Sequence, residues 1–170
     1  MRRLVTFFLA GAFIFGALTS VEAQQKMTKA ENRQQQFEET KNLVESRNFI
    51  FEADRAFPSG GASIDLTTNY GYLKVKEDSI VVGDLPFFGR AFSVDYGGGG
   101  GIEFSGKMDE QESEIDEEKK TITYSFKVKD GDYFQVSLQV SYNGDASLNV
   151  ISHNRSAIRY QGDISRVEEN

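Results

Sequence analysis

The chain has no cysteine among its 170 residues. That excludes disulfides, thiolate nucleophiles and every metal site built on cysteine sulfur. It has no tryptophan either, so its 14 Phe and 7 Tyr must supply the large side chains of the core. There is one histidine, His153. A Ser-His-Asp triad would have to use it, and a zinc site would have to lean on carboxylates. His153 sits in a predicted turn before Asn154-Arg155, with no G-x-S-x-G or comparable nucleophile motif to accompany it, and reads as a solvated polar residue. Positive charge is also scarce. With 19 Lys and Arg against 26 Asp and Glu, the net charge of −7 disfavours nucleic acid and anionic membrane as partners. No catalytic set and no metal-ligating set emerges, no cofactor is implied, and the chain reads as a non-enzyme.

What is present begins with an export signal. Arg2 and Arg3 precede an apolar run from Leu4 to Leu18, and Val21-Glu22-Ala23 offers a small residue at a cleavage point between Ala23 and Gln24. The run is shorter than the roughly 20 apolar residues of a spanning helix. No cysteine follows it, which speaks against a lipoprotein. Residues 1–23 are therefore expected to be a signal peptide, leaving a periplasmic or secreted chain with no membrane span. Removing Arg2, Arg3 and Glu22 makes that chain one unit more acidic.

Residues 24–48 are polar, without Gly or Pro, and carry a thin apolar stripe that includes Phe37, Leu43 and Val44. Thr28 with Glu31 three residues on is a capping box, so a helix is predicted from about Lys29 to Ser46, covering a barrel end or a sheet edge. Residues 49–170 form a single β domain. Phe49 and Phe51 alternate with Ile50 and Glu52, Ile64 with Leu66 marks a short strand, and Leu73 and Val75 pair with Ile80 and Val82 across Glu77-Asp78. Ile102 to Met108 is another strand, followed by the acidic run Glu112 to Glu118, read as a solvated edge hairpin. That run lacks the D-x-D-x-D-G spacing of a calcium loop. Four strongly alternating strands then close the chain, with hairpin signals at Asp130-Gly131 and Asn143-Gly144. Eight to ten one-sided antiparallel strands close most readily into a barrel, because closure removes exposed edges. The expected fold is mainly β, an antiparallel meander forming a lipocalin-like (calycin-type) barrel or half-open barrel with one N-terminal helix.

The segment LPFFGRAFSVDYGGGGGIEF, Leu85 to Phe104, stands apart. Long loops in compact domains are usually functional or disordered. Together with NFIFEADRAFPSGG near the start of the β domain and NRSAIRYQGDI near its end, it resembles the domain of unknown function 4251, a family of small exported proteins of Gram-negative bacteria. The resemblance implies a β-barrel-like domain behind a signal peptide, and it supplies no activity and no catalytic residues.

Two readings of the loop follow from its residues. In one, Phe87, Phe88, Phe92 and Tyr96 fold back as a plug over a barrel end. In the other, they line the mouth of a ligand cavity, Arg90 offers charge, and Gly97, Gly98, Gly99, Gly100 and Gly101 allow motion. The five glycines run straight into the strand Ile102-Glu103-Phe104, with no Lys-Ser/Thr and no following helix, so they are not a phosphate loop. Arg55 and Arg90 are candidate buried partners of Asp54, Asp65 or Asp95. The expected partner is a small apolar or amphipathic ligand, or alternatively an envelope protein.

Overall fold

The structure is a computed structural model that describes residues 27–77, 79–93 and 100–167. The predicted signal peptide with its Ala23–Gln24 cleavage point, and the loop residues Tyr96, Gly97, Gly98 and Gly99, lie outside these described residues.

Helix α1 (Lys29–Glu45) starts where the capping box places it. Thr28 Oγ1 accepts the Glu31 N–H at 3.3 Å, and the Glu31 carboxylate accepts the Thr28 N–H at 2.7 Å. The helix stops at Arg47, whose φ of 52° no α-helix continues through. Its inward face is Phe37, Thr40 and Val44, three and four residues apart, with Leu43 half-buried beside them.

Ten strands follow: β1 (Phe49–Pro58), β2 (Ile64–Asp65), β3 (Gly71–Lys76), β4 (Ile80–Leu85), β5 (Ile102–Lys107), β6 (Asp109–Asp116), β7 (Thr121–Asp130), β8 (Asp132–Ser141), β9 (Asp145–Ser152) and β10 (Ile158–Arg166). The main path is β5-β4-β3-β1-β10-β9-β8-β7-β6, antiparallel throughout, with the two-residue β2 paired to β1. The meander returns on itself because its first strand pairs with its last: Phe49 lies opposite Arg166 and Pro58 opposite Ile158.

The two ends of this path, β5 and β6, are consecutive in sequence and separated only by Met108. Alternating directions along nine strands force both to run the same way. They are therefore the two halves of one bent strand. Its first half pairs with β4, its second half pairs with β7, and the switch of partner is made at Met108, next to Glu110 with a φ of 47°. Counted this way the wall has eight long strands, the number whose interior side chains can just fill. The remaining seam lies between β5 and the far half of β7. There the Asp130 carboxylate accepts the Ser105 N–H at 2.8 Å, and the rings of Phe104 and Phe134 meet at 4.9 Å. The barrel is nearly closed.

The acidic run Glu112 to Glu118, expected as an edge hairpin, occupies the end of this second half-strand, β6, and the turn that leads into β7. Pairing with β7 overrides its charge repulsion, and Lys127 with Glu110 and Lys119 with Asp116 at 2.8 Å offset part of it.

Alternation puts Phe49, Phe51, Leu73, Val75, Phe126, Val136, Leu138, Leu148 and Tyr160 inside, each 1 % exposed or less. One inward position is a glycine for a definite reason. Gly162 lies opposite Ala53 at the bulge in β1, and a Cβ there would run into the Glu52 carbonyl oxygen. The helix closes one end. Thr40 Oγ1 donates to the Tyr142 carbonyl at 2.9 Å, Lys41 pairs with Glu117 at 3.1 Å, and the Lys120 ammonium lies 5.0 Å over the Phe37 ring. These contacts tie α1 to the turns after β6 and after β8.

Candidate functional site

The opposite end carries the long connection from β4 to β5, residues 86–101, and the shorter one from β9 to β10, residues 153–157. Strand direction alone brings them together, because β4 and β9 both end there while β5 and β10 both begin there.

Contact between them is extensive. Arg90 N–H donates to Ser156 Oγ at 3.0 Å, and Ser156 N–H donates to the Arg90 carbonyl at 2.9 Å. Ala91 bridges to Arg155, and Phe92 N–H donates to the Asn154 carbonyl at 2.7 Å. The Tyr160 hydroxyl, rising from the barrel interior, donates to the Pro86 carbonyl at 2.9 Å. The Arg155 guanidinium lies 5.2 Å over the Phe87 ring, and its Nη1 reaches the Gly100 carbonyl at 3.4 Å. Gly89 is where the two segments touch most closely. A Cβ there would press on Ser156 Oγ and come within 2.6 Å of the Phe87 ring. Residues 86–93 are thus stapled across the barrel end.

The stapling loop is itself held. Asp132 accepts the Ser152 hydroxyl, the Tyr133 N–H at 2.6 Å and the Asn154 N–H at 3.3 Å. Partial burial pushes the Asp132 carboxyl up, but these donors prevail and hold it below the usual carboxylate range. Asp132 therefore fixes Asn154, whose carbonyl in turn fixes Phe92. His153 stacks on Tyr133 with centroids 5.3 Å apart. Ser152 is 8 % exposed and its hydroxyl is committed to Asp132.

The predicted site residues divide into two groups. Phe87 is half-buried and packs on the core, as the plug reading expects. Phe88, Arg90 and Phe92 point outward, with Phe88 39 % and Phe92 66 % exposed. Arg55 and Arg90 are exposed rather than buried, and neither forms an ion pair among the described residues. Residue-level reading missed Arg155, Ser156 and Tyr160 as partners of the loop. The available signal was that LPFFGRA and NRSAIRYQGDI mark the same family. Each supplies one side of this contact.

Elsewhere, a groove of about 420 Å³ crosses the outer wall at Asp54, Asp145 and Asp163. Burial first, then hydrogen bonding and repulsion from Asp145, push the Asp163 carboxyl up. Among the described residues no group of three or more His, Asp or Glu is placed to hold a metal ion. No helix among them is long and apolar enough to cross a membrane.

The fold defines a class: a nearly closed antiparallel barrel with a helix over one end and an aromatic loop stapled over the other. Residues 31–164, most of the chain, match the family model described as domain of unknown function (DUF4251), and the protein belongs to that family. Among solved structures it is similar to the crystal structure of a DUF4251 family protein from Bacteroides eggerthii DSM 20697. The two share 18 % identity with a TM-score of 0.59, over 77 % of this chain and 87 % of that one, a likeness of fold. No curated protein matches the sequence.

Proposed function

We propose that the protein is an exported, non-enzymatic binding module, acting in the periplasm or outside the cell, that takes a small apolar or amphipathic ligand at the loop-covered end of its barrel. The observation that carries this reading is the split within the aromatic loop. Phe87 and the staple hold the backbone in place, while Phe88 and Phe92 are left facing water. An aromatic side chain buries a large apolar area when it is allowed to pack, so two such rings held outward on a fixed backbone form a pre-organised apolar contact. The neighbouring polar side chains supply no evident chemistry. The Ser152 hydroxyl is held by a carboxylate and the His153 ring is stacked.

The test is native mass spectrometry of gently purified protein, together with titration of a neutral apolar probe. Retained or titratable ligand, lost in Phe88→Ala and Phe92→Ala, supports the reading. No binding at any probe concentration, with both variants indistinguishable from the parent, contradicts it. The same exposed rings favour a second reading, a contact with an envelope protein. In that case in-cell cross-linking from position 92 traps one defined partner and the apolar probe does not bind.

A further inference from the structure

We propose that the open edge of β6 is a docking surface for an extended segment of another protein, which adds to the sheet as one further strand and carries lysine or arginine on its outward face. β6 leads into the turn that Lys41 ties to α1, so this surface is separate from the loop-covered end. The inference is independent of the binding reading above.

The backbone carries it. β6 ends the path of the sheet and has one paired neighbour, β7. Its other edge loses β4 at the bend, where the Ser79 carbonyl of the β3–β4 hairpin accepts the Met108 N–H at 2.7 Å. The Gln111 side chain caps the Met108 carbonyl at 3.4 Å, just before the open stretch. From Glu112 to Asp116 no backbone hydrogen bond leaves that edge among the described residues. Alternate residues of a strand turn their N–H and C=O to opposite sides, so every second residue here presents both groups to water. Glu112, Ser113 and Glu114 are also exposed, although they point to both faces of the strand. A strand open along one edge and on both faces is a template for strand addition.

The side chains set the chemistry of the partner. Pairing with β7 puts Ser113 and Ile115 on the inner face, beside the buried Tyr124 and Ile122. It puts Glu112, Glu114 and Asp116 on the outer face, where Glu112 and Glu114 lie opposite the uncharged Ser125 and Thr123. Lys127 pairs with Glu110 and Lys119 with Asp116, whereas neither Glu112 nor Glu114 enters an ion pair among the described residues. Lys76 and Lys107 share a row with Ile80 on the other side of Met108, and neither pairs with these carboxylates. A strand with basic side chains beside Glu112 and Glu114, and apolar ones beside the half-buried Ile115, complements both faces. A second copy of β6 fits poorly, because antiparallel pairing of two such edges sets these glutamates against their own copies. Carboxylates on an open edge thus turn away acidic or identical strands and admit a basic one.

The test titrates the isotope-labelled full chain with peptides of about eight residues, the length of β6. One alternates valine with lysine and one alternates valine with glutamate. Two more are the lysine peptide N-methylated at one or the other set of alternate amides. The lysine peptide is expected to bind saturably, roughly fivefold or more tightly than the glutamate peptide. It should shift the amides from Glu110 to Asp116 and slow the exchange of every second one. N-methylation of one set of amides should weaken binding roughly tenfold or more, and of the other set should not. Glu112→Lys with Glu114→Lys should reverse the preference toward the glutamate peptide; where that variant fails to fold, the N-methylated peptides on the parent protein decide. Equal binding of the lysine peptide and both N-methylated forms overturns strand addition in favour of a plain charge contact. Equal binding of the lysine and glutamate peptides overturns the basic assignment. No binding, with the edge amides exchanging freely, overturns the proposal and leaves the carboxylates as guards against pairing. Edge protection in the chain alone that grows with protein concentration overturns the choice of another protein in favour of a second copy.

Discussion

Replacing Tyr160 by Phe removes one oxygen from the molecule and isolates a single link between the barrel interior and the loop. Tyr160 is fully buried, and its hydroxyl is the donor to the Pro86 carbonyl at 2.9 Å. Burial pushes the phenol well above its ordinary pKa, so it is a neutral donor at neutral pH. Phenylalanine keeps the ring and its packing, so the loss is the hydrogen bond plus the penalty for a carbonyl left without its partner. A net hydrogen bond contributes about 0.5–1.5 kcal/mol, and an unsatisfied buried group costs about 1–3 kcal/mol. The carbonyl lies near the surface and water can reach part of it, so the expected destabilisation is about 1–2 kcal/mol. For a folded unit of this size that lowers Tm by roughly 3–8 °C. Far-UV circular dichroism follows the melt, the chain having no tryptophan. Amide exchange adds the local readout: the Arg90, Phe92 and Ser156 amides, which donate or lie within the staple, should exchange faster in the variant. An unchanged Tm with unchanged exchange across residues 86–93 would refute the view that the barrel core positions the loop.

Three further outcomes follow from the same geometry. Gly162→Ala, which drives a methyl into the Glu52 carbonyl, should cost several times the ~0.5 kcal/mol of a surface substitution, or prevent folding, as measured by urea denaturation. Phe37→Ala empties the contact between helix and barrel and should cost about 3–5 kcal/mol; a loss below about 1 kcal/mol would show that α1 does not close the end. Two of the perturbed aspartates make opposite contributions with pH. Asp163 has its folded pKa raised, so its contribution favours folding below the ordinary value of 3.8 and is lost as pH rises through the folded value. Asp163→Asn should therefore stabilise the protein at neutral pH, with the gap closing in acid. Asp132 has its folded pKa lowered, so its contribution is present above 3.8 and lost as pH falls through the folded value. Asp132→Asn should be the less stable variant at neutral pH and converge with the parent in acid.

Much of the scaffold was legible because local chemistry determines it. The capping box at Thr28 and Glu31 set the start of the helix, and the two Asx-Gly turns set hairpins whose registers run unbroken. Strict alternation from Ile122 to Val150 exposed one face and buried the other. What local pattern could not supply was long-range pairing. Nothing in the run Asp109 to Asp116 shows that it continues β5, because the bend at Met108 exists only once β4 and β7 both claim the same strand. The acidic residues there read as a solvated edge hairpin, and most of them are exposed on the outer strand of the β6–β7 hairpin. The loop followed the same pattern. Its aromatic residues were visible as a group, but which of them turn inward depends on Ser156 and Tyr160, about 70 residues away along the chain. The loop's aromatic residues therefore divide: Phe87 packs inward, and Phe88 and Phe92 face outward.

Binding at the loop-covered end is tested most directly by a map of where an apolar probe binds. In a titration of isotope-labelled protein with decanoate, followed by amide chemical shifts, saturable shifts are expected at Phe88, Phe92 and the facing residues Asn154 to Ser156, with the outer groove at Asp54, Asp145 and Asp163 unmoved. Shifts centred on that groove or on α1, or none at concentrations that saturate binding, would contradict it.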